Sequence, residues 1–315
     1  MSNNYFRNLA LLGLQLKPKN TTIVLLIAYA FCLFATYITL IYPGKSYIST
    51  WLNDVIGFID IANRVSLGEL PYKDFHFGYG PLVALIPGLA LLWSGNAGII
   101  FAANGLIVSS ILLFSALIIL PRRLTTFASL LIFLFAWLLI AIPMGNMQSF
   151  SDITWGAFYN RQGWAALIII FVFYIEPVNT GAWSKRLDSV ALALLLLFEL
   201  GNKLPFAVVA FGFVLINSTI SRYNRHISLL SLLLVTLTVV AEEVFLGLAA
   251  PYFHNVLAVS KSLKGGRLGL WDFITILIDN APIILASLGA VMAVRAVGRR
   301  SIFDWLYTTG VIASV

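Results

Sequence analysis

PLVALIPGLALLW, Pro81–Trp93, is an almost unbroken apolar run of thirteen residues with a proline near its centre. At 1.5 Å per residue a helix of this length rises about 20 Å, well short of the ~30 Å hydrocarbon core of a bilayer. Whether it crosses sets the side on which every later residue lies. If it crosses, Arg122, Arg123, Lys185, Arg186, Arg222, Arg225, Arg295, Arg299 and Arg300 face outward. If it lies in the interface or re-enters, they face the cytoplasm with Arg7, Lys17 and Lys19, so that twelve of the twenty Lys and Arg gather there in five clusters. Length and the positive-inside rule both favour this second threading.

The rest of the chain agrees with a membrane setting. Of 315 residues, 60% are hydrophobic and only 10% charged, where a soluble domain carries about 25%. Mean hydropathy is +0.93. The formal charge of +7 is scattered over short connectors, which excludes a nucleic-acid surface. A single cysteine, Cys32, excludes an internal disulfide. Apolar runs at Thr22–Tyr42, Ile99–Leu120, Thr126–Pro143, Gly163–Pro177, Leu187–Leu200, Leu204–Ile220, Ile227–Gly247 and Phe273–Ala296 predict an all-α, polytopic transmembrane bundle of about eight spans. A partial ninth run starts near Ile302, so the expectation is one transmembrane domain over 1–315 that is incomplete at its C-terminus. The first run lacks a small-x-small cleavage pattern and reads as an uncleaved anchor with a cytoplasmic N-terminus, in the cell (inner) membrane. The long connectors, roughly 44–98, 144–162 and 242–272, then lie outside, and Gly201-Asn202-Lys203 makes a tight outer turn.

Within 44–98, WLNDVIGFIDIANRVSLGE (Trp51–Glu69) has helical period. Asn53, Gly57, Asp60 and Arg64 share one face, and Trp51, Val55, Phe58, Ile61, Ala62 and Val65 the other, as in a helix lying on a membrane surface. Asp54 falls among the apolar positions. Two readings stand for it: a cap for the helix start, or a carboxylate turned toward a membrane-edge cavity as a general base. GELPYKDFHFGYGPL (Gly68–Leu82) follows. Gly68 ends the helix, and Pro71 forces an extended step before it. Lys73 beside Asp74 reads as a solvated pair, and His76 as a packed histidine. Tyr72, Phe75, Phe77 and Tyr79 form either an interfacial aromatic belt or a wall for a sugar ring. The other histidines, His226 and His254, are far away in sequence, so a histidine metal site is not expected.

These residues together resemble a known family. An acid shortly after the first span, IANRVSLGELPYKDF, and YGPL leading into a short apolar stretch are similar to the GT-C superfamily. Its members are polytopic membrane glycosyltransferases that use polyprenyl-phosphate-linked sugars, the protein O-mannosyltransferase and lipid A aminoarabinose transferase types among them. The resemblance implies that Asp54 is the catalytic base or acceptor-binding acid, that Asp74 is the aspartate of the "DF" step, and that Pro81–Trp93 is a juxtamembrane helix. LLLLFELGNKLPFAVVA (Leu194–Ala210) resembles a segment whose lysine sits near the lipid phosphate, a place taken here by Lys203. Many members have "KPP" where this chain has Tyr79-Gly80-Pro81; Lys73 or Lys203 stands in for the missing lysine. The likeness is densest over residues 50–95. It also offers Asp152 as a second acid from a later outer loop.

The remaining polar groups complete the expectation. Arg161 sits at the mouth of a span, either as a bidentate phosphate ligand or as a headgroup anchor. Glu242 and Glu243 lie near the outer end of an apolar helix, where acids are costly and point to function, or are wet. The basic stretch with Lys261, Lys264 and Arg267 is suited to an anionic lipid. The expected reaction is inverting transfer of a sugar from a polyprenyl-phosphate donor to a glycan, lipid or protein acceptor. Asp54, Asp74 and Asp152 are its acids; Lys203, Lys73 and Arg161 hold the donor phosphate; Tyr72, His76, Tyr79 and Glu242 contact acceptor or sugar. No cofactor is required, although an acid pair offers a place for a divalent metal. The rival classes are a transporter or flippase of lipid-linked sugar and a non-catalytic membrane scaffold. A transporter is expected to carry its polar residues mid-span, and here most gather at the outer ends.

Overall fold

A computed structural model of the chain describes residues 18–44, 52–141, 154–175, 177, 181–220 and 222–263. Outside the described residues lie Asp152, Lys264, Arg267 and the apolar runs from Phe273 and from Ile302. The chain divides into two compact units, Met1–Asn255 and Val256–Val315; the first holds every contact that shapes the site.

The described residues form ten α-helices and no strand: α1 Pro18–Thr36, α2 Leu52–Ser66, α3 Leu82–Ser94, α4 Ile100–Ile119, α5 Thr126–Ala141, α6 Trp155–Phe171, α7 Ala182–Asn202, α8 Leu204–Ile220, α9 Arg222–Leu246 and α10 Ala249–Leu263. Three stretches are long and apolar enough to cross a membrane: Asn20–Thr39, Ala97–Arg122 and Tyr223–Leu246. Helices α3, α5 and α8 are apolar but shorter.

Hydrogen bonds fix how the helix ends are arranged. Thr21 and Thr126 share a 2.6 Å hydroxyl contact, joining the starts of α1 and α5. Arg122, just past α4, donates to Ser184 Oγ at 2.6 Å in the first turn of α7. These contacts mark one end of the bundle, the far end. Because α4 leads into it and α7 leads away, Asn96 and Lys203 share the opposite, near end. Asn96 donates from Nδ2 to the Gly44 carbonyl at 2.9 Å, and the Gly80 N–H donates to the Asn202 carbonyl at 3.0 Å. So α3 starts beside Asn202 and finishes beside Gly44, with both of its ends at the near end. It therefore lies across that end of the packed helices. Its last turn closes on Gly95, whose φ of 63° is left-handed and whose N–H reaches the Leu91 carbonyl at 2.7 Å.

Helix α2 has the predicted two faces. Val55, Phe58 and Ala62 are buried, whereas Asp60 is exposed and Arg64 half-buried. Phe58 packs on Phe101 of α4 at 4.6 Å and Trp155 of α6 at 4.8 Å. A sealed phenylalanine of this kind contributes about 2 kcal/mol. Helix α6 begins eight residues before the apolar run from Gly163, at Trp155. The cause is capping rather than hydropathy, since the Thr154 hydroxyl accepts from the Ala157 N–H at 3.0 Å. Lys203 alone separates α7 from α8, which is the predicted tight turn.

Candidate functional site

The near end is built around a set of touching aromatic rings. Trp155 is only 6% exposed. It stacks on Phe77 at 6.0 Å and meets Tyr79 at 5.9 Å and Tyr159 at 6.0 Å. Tyr79 lies 4.9 Å from Tyr159. Tyr72 continues the set through Phe77 at 6.1 Å and Tyr252 of α10 at 5.5 Å. The aromatic knot therefore has an inner part, Phe77, that is core, and an outer part, Tyr72 and Tyr79, that keeps an accessible edge. Tyr72 donates its hydroxyl to the Tyr79 carbonyl and so closes the knot on itself. Its backbone has φ of 69°, a strained value for a tyrosine. Burial, with Tyr252 and Glu242 nearby, pushes its phenol above the ordinary tyrosine value. Burial also pushes Tyr252 up to about 12.

Asp54 does cap a helix, but a different one from its own. Its Oδ2 accepts from the Trp155 N–H at 2.5 Å and the Gly156 N–H at 3.4 Å, the first two amides of α6. Negative charge at a helix N-terminus is favourable by about 0.3–1 kcal/mol. The bond joins residues 101 apart in sequence, so spacing within α2 gave no sign of it.

Lys203 reaches the same aromatic set from the other side. Its Nζ donates to Asn160 Oδ1 at 3.0 Å and lies 5.3 Å above the Tyr159 ring. Burial lowers its pKa below the ordinary lysine value. Asn202 Nδ2 donates to the Tyr159 carbonyl at 3.0 Å, which fixes the turn against α6. Gly80 fits against this turn only because it has no side chain: a Cβ there would lie 2.1 Å from the Gly201 carbonyl oxygen. Thus the knot, the start of α6 and the Gly201–Lys203 turn form one continuous surface.

The other predicted residues are placed differently. Asp74 Oδ2 accepts from the Leu70 N–H at 2.7 Å, which stabilises the local turn. The Lys73 amine lies against Gly247, at the end of α9, where helix carbonyls favour a cation. His76 is exposed. Arg161 donates to the Leu138 carbonyl at 3.4 Å, in the last turn of α5. Glu242 is half-buried, and its electrostatic influence reaches Tyr72, while Glu243 caps α10 by accepting from the Ala250 N–H at 3.0 Å. Arg64 holds Asp60 at 3.0 Å and Glu69 at 3.2 Å on the exposed face of α2. Among the described residues no three His, Cys, Asp or Glu side chains come together as a metal site.

One residue escaped the sequence reading. Glu199, one turn before Lys203 on α7, is 0% exposed, and neither carboxylate oxygen has a hydrogen-bond partner among the described residues. It was legible as one more outer acid; its burial depends on which helices surround α7. No protein-family model, curated protein or solved structure matches this chain.

Proposed function

We propose that the chain is a polytopic membrane glycosyltransferase that works at the near end of its bundle, on the external face of the cell membrane. The supporting observation is that both ends of α3 lie beside Lys203 and Asn96, so Asp54, the aromatic knot and the Gly201–Lys203 turn share one compartment. In this reading the donor is a sugar on a polyprenyl phosphate and the acceptor is a lipid, glycan or protein hydroxyl. The acceptor oxygen attacks the anomeric carbon and its proton passes to Asp54. The carbon–oxygen bond to phosphate breaks with inversion, and the leaving phosphate keeps the electron pair. Asp54 has one oxygen committed to the α6 amides, which orients the carboxylate and leaves the second oxygen for the proton. Lys203 offsets the charge growing on the phosphate. The outward edges of Tyr72 and Tyr79 pack against the sugar. Lys73 and Glu242, gathered around Tyr72 and the end of α9, contact donor and acceptor at the rim.

The transporter reading draws on Glu199, a carboxyl buried in α7 with no partner among the described residues. The decisive experiment compares cell-surface glycans and glycolipids with and without the gene, then with Asp54→Asn and with Glu199→Gln. Loss of one glycan species in the deletion and in Asp54→Asn supports the transferase. Unchanged glycans in the deletion end it, and loss in Glu199→Gln alone moves the reading to transport.

A further inference from the structure

Asn160 stands one turn past Gly156 on α6, between the two groups that the proposed reaction needs. Its Nδ2 donates to the Gly156 carbonyl at 2.7 Å, and its Oδ1 accepts from Lys203 Nζ at 3.0 Å. An amide nitrogen only donates and an amide oxygen only accepts, so these two bonds together fix the orientation of the side chain. Gly156 is bonded through its N–H as well, which donates to Asp54 Oδ2 at 3.4 Å beside the Trp155 N–H at 2.5 Å. Asp54 and Lys203 are thus both tied to the start of α6, the acid through its leading amides and the lysine through Asn160.

The backbone of Lys203 fixes where its side chain starts. Its N–H donates to the Glu199 carbonyl at 3.0 Å, and its carbonyl accepts from the Phe206 N–H at 3.1 Å and the Ala207 N–H at 3.2 Å, so one residue ends α7 and begins α8. Asn202 beside it is held to the Tyr159 carbonyl at 3.0 Å. From there the lysine stem reaches back to α6, where the amine lies 5.3 Å from the centre of the Tyr159 ring and meets Asn160. Lys203 and Asn160 are both half-buried, so the amine is held but still reachable. The kind of acceptor matters here. An ammonium group has three donors and one charge. A carboxylate at position 160 would take up that charge in an ion pair. A neutral amide takes one donor, keeps the amine in place and leaves the charge for an anion.

We propose that Asn160 is a positioning residue: it holds the Lys203 amine beside Tyr159 with its charge uncancelled, in one frame with Asp54, so that the amine meets the phosphate of a prenyl phosphate. The inference rests on the reading of Lys203 as the phosphate cation, and its test is read on the lysine itself rather than on glycans. The purified full chain in dodecyl maltoside is acetylated with limiting acetic anhydride at one mildly alkaline pH, with and without farnesyl phosphate. Peptide mass spectrometry gives the rate at Lys203 relative to Lys185, which lies over Tyr223 at the other end of α7. In wild type, farnesyl phosphate is expected to slow labelling at Lys203 and not at Lys185. Asn160→Ala frees the amine, so Lys203 labels about fivefold faster, the worth of one hydrogen bond, and the protection weakens. Asn160→Asp keeps an acceptor of the same size. There Lys203 labels more slowly than in wild type, because the ion pair favours the protonated amine, and the protection is lost. A merely structural asparagine would not give shifts of opposite sign. If Asn160→Ala fails to fold, Asn160→Asp carries the test through its slower labelling and lost protection. The proposal is overturned if Lys203 and Lys185 label faster together in Asn160→Ala, if neither variant changes the Lys203 rate, or if farnesyl phosphate does not protect the wild type. A gene deletion that leaves all glycans unchanged, while protection still follows position 160, ends the transferase reading and keeps this one.

Discussion

Asp54 shows how much one side chain's role depends on its neighbours. Its carboxylate joins α2 to the start of α6, and under the proposed mechanism it also takes a proton. The two roles separate by substitution. Asn keeps an oxygen that accepts from the Trp155 N–H but is not a base, so Asp54→Asn is expected to unfold within about 1 kcal/mol of wild type while product falls by about 10²–10⁴. Asp54→Ala removes the cap and lowers stability by about 0.5–2 kcal/mol. Thermal unfolding and glycan analysis on the same preparations check both. If Asp54→Asn keeps full activity, Asp54 is a cap alone. Lys203 gives a pH test at the same scale. Its folded pKa is lowered by burial, so the folded protein releases this proton before the unfolded chain does. The sign follows: this group's contribution to stability grows as pH rises toward the ordinary lysine value, while the charge needed for phosphate is lost over the same alkaline window. Lys203→Arg keeps its charge and is expected to move the alkaline limb of the activity profile upward. A limb that does not move removes Lys203 from the phosphate site.

At the scale of elements, the register between α3 and the α7–α8 turn rests on two glycines. A Cβ on Gly80 would sit 2.1 Å from the Gly201 carbonyl oxygen, and one on Gly201 would sit 2.6 Å from the Leu82 side chain. The first clash is with backbone and has no flexible atom to move. Gly80→Ala is therefore expected to force the knot off the turn, break the Gly80–Asn202 hydrogen bond and cost about 2–3 kcal/mol. Gly68→Ala meets no neighbour within 4 Å and costs only the strain of its φ of 92°. Unfolding midpoints for the pair of variants measure the difference. Equal losses would show that the close approach at Gly80 adds nothing. The same elements were partly visible in the sequence. The two-faced period of α2 and the shortness of α3 are local properties of their residues, and both helices form where expected. The start of α6 was not visible, because its first amides are capped by Thr154 beside it and by Asp54 from a helix 101 residues away.

For the whole molecule the test concerns sidedness. Both ends of α3 meet the near end, so single cysteines at Asn96 and Lys203, in a Cys32→Ser background, are expected to react with an impermeant maleimide from the same side of the membrane. Cysteines at Gly181 and Lys203 are expected to react from opposite sides, since α7 runs between them. If positions 96 and 203 label from opposite sides, α3 crosses the bilayer and the proposed site has no common compartment.

Hydropathy and helical period act over a few turns of chain, and from them the amino-acid order alone determined a helical chain with membrane-length apolar helices, an amphipathic α2, a short α3 and a tight turn at Gly201–Lys203. Contacts between distant residues obey no such local pattern. Asp54 under α6, Glu199 sealed without a partner among the described residues and two arginines on one aspartate at the far end follow from which helices become neighbours, and packing in three dimensions alone decided them.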